Sequence, residues 1–189
     1  MKIGLVQYNP KWESKEENKK RLSEIIKRDF TEEPSLLIFP EMTLTGFTME
    51  ASKFGEDISG DSFNFFTQLA LKYKIYIAAG LIEKENKDYF NSLIVVNPEG
   101  KLISKYRKIH PFSYSTEDKH YKRGEELKLT EINGLKIGLS ICYDLRFPEL
   151  YRFYAKEKVH LIIVIANWPD TRIEHWETLL KARAIENQC

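Results

Sequence analysis

The sequence predicts an α/β fold in which two mixed β-sheets pack face to face under outer helices, a four-layer α-β-β-α sandwich. Three observations lead there. Short apolar runs alternate with segments of helical period along the chain. Two hairpin signals in its middle exclude a purely parallel sheet. The all-apolar run Leu161-Ile162-Ile163-Val164-Ile165 then returns as a strand between two late helices.

Taken in order, Ile3-Gly4-Leu5-Val6-Gln7-Tyr8 reads as a buried strand broken by Asn9-Pro10. Residues 13–30 carry a charged face with Leu22, Ile25 and Ile26 at helical spacing. Ser35-Leu36-Leu37-Ile38-Phe39 is a second strand, stopped by Pro40, and residues 61–74 form a helix with Phe65, Phe66, Leu69 and Ala70 inward. Residues 75–80 are a third strand. Residues 92–96 and 101–106 flank the turn Asn97-Pro98-Glu99-Gly100 as an antiparallel hairpin. Residues 127–132 and 135–141 flank Asn133-Gly134, the strongest short hairpin signal in the chain. Helices over 148–158 and 173–187 enclose the last strand. The final helix reaches the last residues with no C-capping Gly and no closing strand, so a fold lacking its C-terminal strands is expected.

At 189 residues and 42% hydrophobic composition, residues 1–189 form one domain with a sizeable core. Lys and Arg (29) nearly balance Asp and Glu (28), so no net field favours nucleic acid or a membrane, and a small-molecule substrate fits better. The basic stretch Lys119-His120-Tyr121-Lys122-Arg123 reads as a solvated loop. No signal-like n- and h-region or membrane-length apolar run is present, and a cytoplasmic location is expected. Cys142 and Cys189 make no disulfide framework, and His110, His120, His160 and His175 lack metal-ligand spacing; neither metal nor cofactor is expected.

Cys142 ends the apolar run Lys136-Ile137-Gly138-Leu139-Ser140-Ile141 and precedes Tyr143-Asp144-Leu145-Arg146-Phe147-Pro148-Glu149. That pattern places a thiol at a sharp turn opening a helix, where free N–H groups and the helix dipole would lower its pKa. The alternative is a small buried hydrophobe. Glu41 also follows an apolar strand, in Phe39-Pro40-Glu41-Met42, and Lys108 follows another, in Tyr106-Arg107-Lys108-Ile109-His110. Each alone reads as an ordinary loop acid or surface ammonium. Together they are three reactive side chains at strand ends, where separated segments converge.

These segments, in this order, resemble the Glu–Lys–Cys motifs of the nitrilase superfamily of carbon–nitrogen hydrolases. Residues 40–49, Ala166-Asn167-Trp168-Pro169 and residues 182–188 are similar to its omega-amidase-like branch, which hydrolyses the distal amide of 2-oxoglutaramate and related 2-oxo acid amides. A second family glutamate is matched by Glu117 with Tyr121. The resemblance implies a nitrilase-like sandwich and a cofactor-independent thioester mechanism. Cys142 would be the nucleophile and Glu41 the general base; Lys108 and the Tyr143 N–H would stabilise the oxyanion; Glu117 would orient Lys108 or share the proton load with Glu41. It also implies a homodimer and relatives that continue past Cys189. Alternatives are an N-carbamoyl or nitrile hydrolase of the same superfamily, or a non-catalytic truncated remnant acting as an interaction module.

Five further residues are considered for the pocket. Trp168, Phe112 and Tyr143, with Tyr114 beside them, are candidate walls, with core packing the competing role. Arg146 either clamps a substrate carboxylate or, as an Arg in a turn more often does, pairs with Asp144 or Glu149.

Overall fold

In the computed structural model, residues 1–29 and 35–189 are described. The five-stranded sheet runs β1 (Ile3–Leu5), β2 (Leu36–Ile38), β3 (Tyr76–Glu85), β4 (Asp88–Val96) and β5 (Leu102–Arg107) in sequence order. Its first three strands are parallel and its last three antiparallel. The second sheet holds β6 (Leu129–Ile132), β7 (Leu135–Ile141) and β8 (Leu161–Ile165), with β6 antiparallel and β8 parallel to β7. Between β1 and β2 lies α1 (Lys15–Asp29). A short α2 (Ala51–Phe54) and α3 (Asp61–Tyr73) precede β3, and α4 (Glu117–His120) follows β5. The helices α5 (Pro148–Lys156) and α6 (Ile173–Asn187) flank β8.

Strand alternation sorts the core into layers, because successive side chains leave opposite faces of a sheet. From the five-stranded sheet, Leu37, Ile77, Ala79, Ile94 and Val96 pack outward against Leu22 and Ile26 of α1 and Phe66, Leu69 and Ala70 of α3. Their neighbours Leu36, Ala78, Leu93 and Val95 point the other way and meet Ile137, Leu139, Ile141, Ile163 and Ile165 of the second sheet. On the far side of that sheet, Leu150, Tyr151 and Tyr154 of α5 pack with Ile162, Val164 and Trp176, Leu179 and Leu180 of α6. The four layers are therefore α1/α3, five strands, three strands, α5/α6.

Local chemistry sets the ends of these elements. Glu16 and Glu17 in the first turn of α1, with Lys27 and Arg28 in its last, complement the helix dipole. Pro148 occupies the first turn of α5, where its missing N–H has no intrahelical partner to lose. Asn133 (φ 52°) and Gly134 (φ 77°) take the left-handed conformations a tight two-residue hairpin requires.

The structure changes several sequence boundaries. The strand expected over residues 75–80 covers only the start of β3, which begins at Tyr76, continues to Glu85 and turns through Asn86-Lys87 into β4. This longest hairpin escaped the sequence because Glu83, Lys84 and Glu85 carry charge where a buried strand was sought. The helix from residue 148 ends at Lys156 rather than 158, and α6 is closed by Gln188 in a left-handed conformation (φ 54°), with no glycine. Phe30, assigned to the first helix, lies outside the described residues. Among the described residues no helix is long and apolar enough to cross a membrane.

Candidate active site

Glu41 lies three residues beyond the end of β2. Its loop is fastened to β3, with Gly80 N–H donating to the Pro40 carbonyl at 3.2 Å and Thr43 N–H to that of Gly80 at 2.9 Å. Position 80 has to be glycine for this approach. A Cβ there would stand 2.6 Å from Glu41 Cα and from Met42 N, against backbone that cannot swing aside. Met42 itself is fully buried at φ 42°, so the turn behind Glu41 is held in a strained left-handed conformation.

Lys108 follows β5, its N–H donating to the Asn91 carbonyl (2.9 Å) and its carbonyl accepting from Gly124 N–H (2.8 Å). Its ammonium is buried between two carboxylates, 2.9 Å from Glu41 Oε1 and 2.9 and 3.1 Å from Glu117 Oε2 and Oε1. Asn91 of β4 closes the ring, its amide donating 2.7 Å to Glu41 and 2.8 Å to Glu117. Phe112 N–H donates 2.6 Å to Glu117 Oε2. Glu41, Lys108 and Glu117 are 0%, 1% and 0% exposed. Such burial is tolerable only because the charges are paired and their remaining valences filled. Burial by itself would push Lys108 down, but the charges of Glu41 and Glu117 outweigh it and hold the ammonium above the ordinary lysine range. Burial raises the Glu117 carboxyl, with Glu41 adding to the effect and Lys108 opposing it.

Cys142 directly follows β7 and starts a 3-10 turn, Cys142–Arg146, that separates the strand from α5. The sharp turn expected from the sequence is present, with Cys142 at φ 47°. The expected lowering of its pKa is not. Burial, then the Glu41 charge, drives the thiol well above its ordinary value, and Lys108 offsets this only in part. The local pattern anticipated free N–H groups and a helix dipole; the folded chain instead supplies burial and a nearby carboxylate charge.

Asp144 anchors that turn to the Lys108 loop. Its buried carboxylate accepts from Ile141 N–H (2.9 Å), Tyr106 O–H (2.7 Å) and His110 N–H (3.0 Å), and lies 2.8 Å from His110 Nδ1. Asn167, just past β8, makes the other connection between the sheets, its N–H donating 2.8 Å to Glu41 Oε2 and its side-chain amide to the Glu41 carbonyl.

A cavity of about 750 Å³ opens against Cys142, between the chain following β1 and the end of β8. Phe112, Tyr143, Arg146 and Trp168 all line it, as the sequence proposed; Tyr114 does not, being 83% exposed. Arg146 pairs with neither Asp144 nor Glu149. Asp144 is already saturated, and the guanidinium lies 3.1 Å from His175 Nδ1 and over the Tyr143 and Trp168 rings at 6.0 and 5.4 Å. The structure thus brings Glu41, Lys108 and Glu117 together in a buried cluster behind Cys142, the one of the four that lines the cavity. Sequence reading missed Asn91 and Asn167 as partners of Glu41, and Arg172 on the cavity wall. The signal for Asn91 was a carboxamide inside the apolar stretch Tyr89-Phe90-Asn91-Ser92-Leu93.

Comparison with known proteins supports the family reading. The chain is 31% identical over 189 residues to a 2-oxoglutaramate amidase of Bacillus subtilis, covering 99% of this chain and 73% of that protein. It is 30% identical to the omega-amidase YafV of Yersinia enterocolitica, covering 100% and 72%. In structure it is similar to Nit3 of Saccharomyces cerevisiae, a nitrilase superfamily member, with a TM-score of 0.90, 31% identity and coverage of 100% and 72%. A CN-hydrolase superfamily protein of Xanthomonas campestris gives a TM-score of 0.91 at 30% identity, again covering 100% and 72%. These coverages do not establish the shortened C-terminus expected from the sequence. The carbon–nitrogen hydrolase family description matches residues 2–189, and the chain belongs to the carbon–nitrogen hydrolase family.

Proposed function

We propose that this protein is a cysteine amidase that hydrolyses the distal amide of a small linear 2-oxo acid amide such as 2-oxoglutaramate, through a thioester. One observation carries the reading: a thiol on a cavity wall, close enough to Glu41 to feel its charge, backed by a buried cluster in which an ammonium and two carboxamide-bearing residues fix that carboxylate. The names of the two amidase relatives supply the substrate class.

The raised thiol pKa gives Glu41 its task. Cys142 waits as the neutral thiol, so attack on the amide carbon requires that the Sγ proton pass to Glu41 as the S–C bond forms. The tetrahedral oxyanion is met by the Tyr143 N–H and by Lys108, a type of contact worth about 3 kcal/mol per donor. The three N–H directions of Lys108 already point at Glu41 and Glu117, so one of its two Glu117 contacts yields to the oxyanion. Collapse breaks the C–N bond, Glu41 returns the proton to nitrogen, and ammonia leaves. Water then adds to the thioester with Glu41 as its base, and the carboxylic acid departs as the thiol regains its proton. Throughout, Asn91 and Glu117 keep Lys108 and Glu41 in register. Because these groups titrate together, apparent pKa values in a rate profile belong to the cluster and to no single residue.

The experiment is ammonia release from 2-oxoglutaramate, beside a nitrile and an N-carbamoyl amino acid, by the wild-type chain and by Cys142→Ala. Release from 2-oxoglutaramate that falls by at least about 10⁴-fold in Cys142→Ala is the expected result. Undiminished release in that variant removes the thiol from the mechanism, and turnover of the nitrile or carbamoyl compound alone replaces the substrate class.

A further inference from the structure

We propose that Arg172 is a specificity-determining residue which, with Arg146, restricts the cavity to amides whose far end is anionic. The inference deepens the amidase reading given above and rests on it.

Among the described residues lining the cavity, Arg146 and Arg172 carry the charge, and no Asp or Glu shares the wall with them. Neither forms an ion pair with a carboxylate among the described residues, whereas Arg28, Arg107 and Arg183 each do. A guanidinium left without a counter-ion at a concave apolar wall is poised for an anion from outside. Both are mounted on the same aromatic wall. Arg172 sits over Phe112 and Tyr114 at 5.9 and 5.4 Å, Phe112 packs on Tyr143 at 4.9 Å, and Arg146 lies over Tyr143 and Trp168. The Arg172 turn is pinned in turn by Trp168, whose indole N–H donates 2.8 Å to the Arg172 carbonyl. Tyr143 is the residue after the nucleophile, so the two guanidiniums flank the approach to Cys142.

Electrostatics then fixes the direction in which a substrate lies. Behind Cys142, two carboxylates against one ammonium leave the Glu41–Lys108–Glu117 cluster formally one negative charge. A substrate carboxylate is repelled from that end and drawn to the arginines, which turns the amide toward the thiol. For a 2-oxo acid amide, one guanidinium takes the carboxylate through two N–H groups and the other donates to the adjacent oxo oxygen. A 2-ammonium group in the same place, as in glutamine, meets two cations instead.

The test uses reagents of one size and opposite character at Cys142. Alkylation by iodoacetate and by iodoacetamide is followed by peptide mass, with Cys189, which lies outside the cavity lining, as the internal reference. Relative to Cys189, the iodoacetate-to-iodoacetamide ratio at Cys142 is expected to fall about threefold or more in Arg172→Gln and to be largely kept in Arg172→Lys. In the same variants, the preference for 2-oxoglutaramate over glutamine, as kcat/KM, falls with Gln and is partly restored by Lys. An unchanged alkylation ratio in Arg172→Gln overturns the proposal, whether or not 2-oxoglutaramate is a substrate. A lowered ratio with no turnover of 2-oxoglutaramate keeps the anion selectivity and overturns only the substrate named above.

Discussion

The two sides of the site are built on opposite principles. The five-stranded sheet contributes Glu41, Asn91 and Lys108, joined by Glu117 of α4, a cluster sealed from water with nearly every donor and acceptor engaged. The three-stranded sheet contributes Cys142, Tyr143 and Arg146, joined by Trp168 and Arg172, which face the cavity, the two arginines lying over aromatic rings with no ion-paired carboxylate among the described residues. Groups that move protons have to be held at fixed distances in a dry setting, so their charges are matched inside the protein. Groups that receive a ligand keep their charge unmatched until the ligand arrives. The sealed side should therefore couple activity to stability, and the open side should not.

Lys108→Met gives the largest expected break in that contrast. Removing the ammonium leaves two buried carboxylates facing each other, which costs about 3–5 kcal/mol of unfolding free energy and the oxyanion contact together. Urea denaturation and ammonia release should show both losses, with kcat down by at least about 10³-fold. A variant that loses activity at unchanged stability would mean that the cluster is not sealed as the hydrogen bonds indicate.

Asn91→Leu comes next. It keeps the branched shape of the side chain but deletes the two amide donors that tie Glu41 to Glu117. Hydrogen bonds to charged groups contribute about 1.5–3 kcal/mol each, so a fall in kcat of about 10- to 100-fold is expected, with KM little changed, as befits a positioning residue. A rise in KM alone would move Asn91 to the binding side.

Burial on both sides of the site sets the response to pH. Cys142 and Lys108 have folded-state pKa values above their ordinary ones, as do Tyr106 and Tyr151 in the core. All four therefore keep their protons in the folded chain at pH values where the unfolded chain releases them. Their contribution to stability is whole below the unfolded values and is lost as pH rises through the folded ones. Thermal unfolding is expected to be insensitive to these groups through neutral pH and to weaken from about pH 9 upward. Alkylation of Cys142 by iodoacetamide should still be accelerating there; a plateau near neutrality would show a thiolate and remove the need for Glu41 as base.

How far the sequence reached follows the same division. Glu41, Lys108 and Cys142 were legible because each directly follows an apolar strand, and strand ends meet in a layered sandwich. Glu117 was legible only through resemblance, since nothing in Thr116-Glu117-Asp118 distinguishes a buried acid from a loop one. Asn91 and Asn167 were invisible as partners of Glu41 because their bonds span 50 and 126 residues, which no local pattern records. The direction of the Cys142 shift was misread because turn and dipole are local features, while the burial and the Glu41 charge that prevail arise only when the two sheets close.

The smallest effect expected, and the sharpest test of the open side, is on stability in Arg146→Gln. Its guanidinium touches His175 Nδ1 and two ring faces, contacts made by a half-buried group with no counter-ion to strand. Cation–ring contacts of this kind contribute about 0.5–1 kcal/mol, so urea unfolding should shift by no more than about 1 kcal/mol, several-fold less than for Lys108→Met. KM for an anionic amide should rise about tenfold or more, because on the proposed reading this guanidinium supplies charge-assisted hydrogen bonds to the substrate carboxylate. A large loss of stability in Arg146→Gln would show that this arginine fastens α6 to the nucleophile turn through His175. The charge facing the cavity would then serve the fold, and the boundary between the two sides would run through Arg146 rather than behind it.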